Sequence, residues 1–183
     1  MGRFQIIYAD PPWSYKDATP RGGAENHYRT MTLDQLCALP VAKLAADDAA
    51  LFLWATWPTL PDALRLIEAW GFRFKNAAFT WVKTTRSGSD AVGLGHWTRG
   101  NTEPCLFATR GKPNRVDAAV RQVVIEESTV FAERTRHSAK PPEVRERIVR
   151  LLGDLPRLEM FAREECPGWV SWGNEVSGGT DAK

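Results

Sequence analysis

The stretch YADPPWSYKD, residues 8–17, places side chains that can do chemistry at the end of an apolar run. Asp10, when ionised, is a pure hydrogen-bond acceptor. Pro11 and Pro12 donate no backbone hydrogen bond, and each fixes its own φ, so the chain leaves a strand here in a stiff direction. A carboxylate, one or two free carbonyls and the ring of Trp13 are thereby held close together. Ligands of open α/β sheets bind at such strand ends. Asp-Pro-Pro is equally ordinary turn chemistry, and a strand-end Asp often only caps a loop. The rest of the chain has to decide.

Other reactive types give less. Cys37, Cys105 and Cys166 stand far apart, and His27, His96 and His137 show no metal-ligand spacing, so no metal site is expected. Unpaired thiols fit a reduced, cytoplasmic setting. No apolar run approaches the roughly 20 residues of a membrane span, so no membrane association is expected, and no signal peptide is read at the N-terminus. The net charge of +2 decides nothing about nucleic acid; placement matters more. Lys83, Arg86 and Arg99 gather in one predicted loop, and Arg110, Lys112 and Arg115 in another, where a plain solvated surface is the competing reading. Of the eight tryptophans, Trp54, Trp70 and Trp81 lie in apolar segments and are expected in the core. Trp13, Trp57 and Trp97 lie in or beside loops, where an indole can stack on a base or be buried under the loop.

The elements that must position these residues follow from periodicity. Residues 4–9 read as a buried strand and 14–31 as a long polar loop. Thr32 with Gln35 forms a capping box opening a short helix to about Leu39. AALFLWA, 49–55, is a continuous apolar run, as in a strand buried on both faces of a parallel sheet. PTLPDALRLIEAWG follows as an amphipathic helix with Leu60, Leu64, Ile67 and Trp70 on one face and Gly71 as its stop. FRFKNAAFTWVK and EPCLFATR read as strands flanking an 84–101 loop, long enough to be functional. RQVVIEE is another strand. KPPEVRERIVRLLG is a helix with a Val144, Ile148, Leu151 stripe, and RLEMFA and VSWGNEV close the sheet. The alternation predicts one α/β domain over 1–176, a mostly parallel sheet with helices on both faces, and a disordered tail at 177–183.

The ordered blocks ADPPW, HYRTMT, LFLW, WGF, WVKT, GHWTRGNTEPCL, SAKPPE, EMFAR and WGNE resemble the permuted DPPW class of adenine N6-methyltransferases, the MT-A70 family. The likeness runs from about Ile6 to Glu175 and implies a circularly permuted, Rossmann-like methyltransferase fold. It implies S-adenosylmethionine as cofactor and Asp10, Pro11, Pro12 and Trp13 as the catalytic tetrad. It assigns Asp10, Lys140, Glu159, Phe161, Arg163, Asn174 and Glu175 to the cofactor, with Lys140 approaching its carboxylate. Tyr28 falls in the loop that gates the target base. Trp13, Tyr28, Lys83, Arg86, Trp97 and Arg99 are the expected substrate contacts.

The chemistry that the resemblance implies explains the residue types. The exocyclic nitrogen of adenine is a poor nucleophile because its lone pair is delocalised. With Asp10 accepting one N–H and the Pro11 carbonyl the other, that lone pair can be aimed at an already activated methyl, so orientation is the main task. A paired base would have to be flipped or single-stranded. DNA is expected rather than RNA, by analogy with the compact bacterial and phage branch.

Two departures from the family pattern bear on the cofactor. Relatives carry an acidic strand upstream of the catalytic one, for which the nine residues before Asp10 leave no room. Glu164, Glu165 and Cys166 replace Pro, His and Asn, and Glu175 stands for Gln. The resulting expectation is a pocket that is partly open, weak, or completed by a second chain in a homo- or heterodimer. A non-catalytic nucleic-acid-binding subunit is the alternative reading, and an RNA adenine methyltransferase a further one. Cytosine N4 chemistry fits less well, because that branch usually has Ser at position 10.

Overall fold

The computed structural model describes residues 2–14, 30–85, 87–91, 93, 97–127 and 139–176. The expectations for Tyr28, Arg86, most of the 14–31 loop and the 177–183 tail lie outside the described residues.

The described strands are β1 (Phe4–Ala9), β2 (Ala45–Trp54), β3 (Arg73–Thr84), β4 (Thr102–Arg110), β5 (Val123–Glu127), β6 (Arg157–Met160) and β7 (Val170–Trp172). The helices are α1 (Leu33–Cys37), α2 (Val41–Leu44), α3 (Leu60–Ala69) and α4 (Glu143–Leu152). The strands form one seven-stranded sheet in the order β5-β3-β4-β2-β1-β6-β7. The pairs β1–β2, β1–β6, β6–β7 and β3–β5 are parallel, giving the expected mixed α/β fold with a mostly parallel sheet, consistent with a Rossmann-like methyltransferase. The chain divides into two compact units. The first comprises 1–76, 106–113 and 155–183; the second comprises 77–105 and 114–154.

In the first unit β1 lies between β2 and β6, and both neighbours run parallel to it. Central strands of this kind must be apolar on both faces, and residues 49–54 of β2 are all buried. One face packs Ile7, Ala9, Leu51 and Leu53 into a cluster with Leu36, Ala63, Leu66, Ile67, Leu158 and Met160. Each Leu, Ile or Met of this set contributes roughly 1.5–3 kcal/mol when fully buried. The Thr32–Gln35 capping box forms as expected, with Gln35 N–H donating to Thr32 Oγ1 at 3.3 Å. Gly71, at φ +79°, takes the left-handed position that ends α3. Its N–H and that of Phe72 close onto the Glu68 and Ile67 carbonyls.

Two details differ from the sequence reading. β2 begins at Ala45, so it includes Asp47 and Asp48. Both are exposed, and Asp48 accepts from the Lys112 N–H at 2.7 Å, so polar residues at a strand start cost little. The buried stripe of α3 is Ala63, Leu66, Ile67 and Trp70, with Leu60 and Leu64 only half-buried. A 3-10 turn at Trp57–Thr59 precedes the helix and sets its phase.

In the second unit β3 pairs with β5, and Trp81 is buried with its indole N–H on the Glu126 carbonyl at 3.2 Å. Val144, Ile148 and Leu152 are the buried stripe of α4. Leu151 is half-buried, and its carbonyl accepts from Val116 N–H instead.

Candidate active site

Asp10 follows the last residue of β1 and is half-buried. Ala9 is in register with Leu53 of β2 and Met160 of β6, and Met160 with Trp172 of β7. Four parallel strands therefore deliver their carboxyl ends to one edge of the first unit: Asp10, Trp54, Phe161 and Gly173. Strand order reads outward from β1 in both directions there, the arrangement that opens a crevice in α/β sheets.

The tetrad itself is tightly held. The Pro11 carbonyl accepts from Trp13 N–H at 2.9 Å, and the Pro12 carbonyl accepts from Met31 N–H at 2.9 Å. A carbonyl has two lone pairs, so Pro11 keeps one. Trp13, read from sequence beside a loop, is only 8% exposed and belongs to the core cluster. Its indole N–H donates to the Trp54 carbonyl at 3.1 Å. The indole N–H of Trp54 in turn donates to the Tyr8 hydroxyl at 2.7 Å, and the Tyr8 ring lies 5.8 Å from that of Trp169. Neutral, buried hydrogen bonds of this kind fix ring orientation at little desolvation cost once satisfied. Sequence reasoning missed Tyr8 as a support. Its only signal is a hydroxyl placed two residues before Asp10 inside an otherwise apolar strand.

The expected cofactor residues of this unit line the adjacent strand ends. Glu159 is buried in β6, opposite Ser171 of β7. Phe161 adopts φ +62°, the left-handed region in which a non-glycine residue is unusual and which clusters at functional sites. Its ring meets Trp172 edge-on at 5.3 Å. Ala162 N–H donates to the Trp172 carbonyl at 3.0 Å. A Cβ on Gly173 would lie 2.2 Å from the Ala162 oxygen, so glycine is needed for the two turns to touch. Arg163 is half-buried, and Asn174 and Glu175 are exposed beside this contact. Glu164 and Glu165 are exposed as well, with Cys166 half-buried.

The second unit contains a different arrangement. Glu103 of β4 is 8% exposed and bonds Lys83 through one carboxylate oxygen and Lys140 through the other, at 3.3 Å. Lys83 also lies over the Trp81 ring, 4.9 Å from its centre. Burial works to raise the Glu103 pKa, but the ammonium groups of Lys140 and Lys83 outweigh it and hold the carboxyl below the ordinary range. Lys140, expected at the cofactor, and Lys83, expected at the substrate, are thus joined by a residue that sequence reasoning passed over. On the loop between β3 and β4, Trp97 is 99% exposed and Arg99 is exposed. No helix among the described residues is long and apolar enough to cross a membrane.

Comparison with known proteins identifies the family. The MT-A70 family profile matches residues 4–175. The chain is 32% identical to the Type II methyltransferase M.MunI of a Mycoplasma species, over 95% of this chain and 78% of that protein. It is 31% identical to an N(6)-adenosine-methyltransferase MT-A70-like protein of Drosophila melanogaster, over 97% of this chain and 28% of the relative. It is 30% identical to the human N(6)-adenosine-methyltransferase catalytic subunit METTL3, over 97% and 29% respectively. The chain thus spans most of the bacterial relative and less than a third of these eukaryotic ones. With Asp-Pro-Pro-Trp at the carboxyl end of the central parallel strand, and a profile that covers nearly every residue, the chain belongs to the MT-A70 family.

Proposed function

We propose that this methyltransferase carries the methyl group of S-adenosylmethionine to the exocyclic N6 amine of adenine in nucleic acid, DNA rather than RNA. The placement of Asp10 beside the Pro11 carbonyl at the end of β1 carries the reading. Asp10 accepts one N–H of the amine, and the remaining lone pair of the Pro11 carbonyl accepts the other. The nitrogen lone pair is then directed out of the ring plane. S-adenosylmethionine, when bound, supplies a sulfonium-activated methyl. Transfer of that methyl, with the sulfur leaving as a neutral thioether, would make the amine acidic, and Asp10 would pass its proton to solvent. The protein's part is orientation.

The donor set fits such a cofactor. Asn174 and Glu175 offer amide and carboxylate groups to ribose hydroxyls and an adenine amine, beside the turn that Phe161 and Gly173 shape. Glu159 and Arg163, on that strand and turn, are read as further cofactor contacts, and the Lys140 ammonium suits a carboxylate. Lys83, Trp97 and Arg99 are read as contacts to the nucleic-acid strand. DNA is preferred because the chain matches the bacterial Type II methyltransferase over most of its length. The family profile runs through both compact units, which supports reading 1–176 as one functional domain. That Cys37, Cys105 and Cys166 form no disulfide among the described residues supports a cytoplasmic setting.

Asp10→Ala tests the reading. Loss of an acceptor used in the transition state costs on the order of a hundredfold or more in turnover, while circular dichroism stays native because a strand-end carboxylate contributes little to the core. Near-normal methyl transfer to adenine-containing oligonucleotides overturns the assignment. A non-catalytic nucleic-acid-binding subunit is the second reading, favoured by Glu164, Glu165 and Cys166 at positions the resemblance gives to cofactor contacts. Calorimetric titration with S-adenosylmethionine separates the two.

A further inference from the structure

The enclosure of Trp13 leaves open which aromatic surface receives a base at the first unit's site. Among the described residues of that unit, four large apolar side chains are exposed: Leu44, Trp57, Phe74 and Val170. Leu44 directly precedes β2, Phe74 is the second residue of β3, and Val170 opens β7. Trp57 alone follows the carboxyl end of a strand that pairs with β1, three residues beyond Trp54. It is 53% exposed.

The backbone beneath it is locked. Thr56 N–H donates to Thr59 Oγ1 at 3.0 Å, the two hydroxyls lie 3.2 Å apart, and Thr59 Oγ1 donates to the Thr56 carbonyl at 3.1 Å. Thr59 is buried, and Pro58 fixes the next φ. An indole on so rigid a turn loses little freedom on binding, which favours a planar ligand laid on its face. One exposed Trp on a surface would otherwise need no explanation. Here it stands in the turn that follows β2, the neighbour of β1, whose end carries Asp10.

We propose that Trp57 is a stacking platform for the base next to the target adenine on a single-stranded or flipped-out nucleic-acid strand. The inference rests on the methyl-transfer reading for the identity of the target. Asp10 and Trp57 both follow the carboxyl ends of paired strands, β1 and β2, so one nucleotide presents its amine to Asp10 while its neighbour lies on the indole. Stacking tolerates every base, because each has a π-face. Trp57 therefore strengthens binding without imposing a long recognition sequence.

The test uses the full chain and a labelled, short single-stranded DNA carrying one adenine, with affinity read by fluorescence anisotropy in the absence of cofactor. Trp57→Ala is expected to weaken binding about tenfold and Trp57→Phe much less, the scale of one base stacked on an aromatic ring. Abasic nucleotides on both sides of the adenine should weaken wild-type binding by a similar factor and leave Trp57→Ala indifferent. Thermal melts, unchanged for this exposed side chain, exclude misfolding. Wild-type affinity in Trp57→Ala, or undiminished sensitivity to abasic flanks, overturns the proposal. So does a change in oligomeric state without a change in affinity, which would make Trp57 a protein-contact residue. Methyl transfer by the wild-type protein is scored separately on the same DNA. Transfer with unaltered binding in Trp57→Ala sinks the platform alone, and flank-sensitive binding without transfer sinks the reaction alone.

Discussion

The two units hold their functional polar groups by opposite means. At the carboxyl edge of the first, Trp13, Trp54 and Tyr8 form a relay of neutral hydrogen bonds, all three rings buried. In the second, a buried carboxylate holds two ammonium groups. The neutral relay answers to geometry alone, whereas the charged triad answers to pH and to any ligand that competes for a lysine. A site that must orient an uncharged amine is served by the first kind of support. A site that must capture an anion is served by the second, because Glu103 draws the Lys83 and Lys140 side chains to one carboxylate.

The largest effect comes from breaking the triad. Glu103→Gln keeps the shape but leaves two largely buried ammonium groups without their counter-charge. The expected loss is roughly 3 kcal/mol, at the low end for an orphaned buried charge, read by urea melts at neutral pH. The sign with pH follows from the lowered Glu103 pKa. A carboxyl whose folded pKa is depressed stabilises fully above its unfolded value, about 4.3. That stability is lost as pH falls through the folded value. The gap between wild type and Glu103→Gln should therefore narrow in acid below that point. A gap that stays constant with pH would mean that the triad is held by packing rather than by charge.

Tyr8→Phe is the matched break on the other side. It removes the acceptor of the fully buried Trp54 N–H, which costs about 2 kcal/mol. No ionisation is involved, so the deficit should be flat across the same pH range. Turnover should fall about tenfold, since Trp54 also anchors Trp13 and small misplacements are expensive at a reacting centre. Equal pH dependence for the two variants would erase the distinction between the units.

What the sequence made legible divides along the same line. β1, the Asp-Pro-Pro exit, the Thr32–Gln35 cap and the Gly71 stop are written in residues that lie within a few positions of one another, so local chemistry decides them. Trp13 was ambiguous because its neighbours look like a loop, while the carbonyl that claims its N–H is 41 residues away. Lys83 and Glu103 are separated by 20 residues, and Lys140 lies beyond β5. Lys83 read as loop surface or substrate contact, Lys140 as a cofactor contact and Glu103 as part of a strand, and only the fold joins the three. The start of β2 at Ala45 was hidden for a related reason: Asp47 and Asp48 oppose strand propensity, and the exposure and pairing that permit them appear only in the fold.

The smallest effect concerns a carboxyl in the charged unit with the opposite sign. Glu126 of β5 has one carboxylate oxygen, Oε2, buried with no hydrogen-bond partner among the described residues. Burial, and secondarily the charge of Glu143, push its pKa up. A carboxyl with a raised folded pKa favours the fold in its protonated form. Its contribution is greatest below the unfolded pKa and is lost as pH rises through the folded one. Glu126→Gln removes the charge that the site resists, so it should melt about 1 °C higher than wild type at neutral pH, a shift of the size expected for a fraction of a kcal/mol in a chain of this length. The advantage should vanish in acid, where wild-type Glu126 is itself neutral. Scanning calorimetry at two pH values checks both halves. A benefit that persists in acid would assign the gain to packing, and no benefit at neutral pH would show that solvent already relieves the buried oxygen.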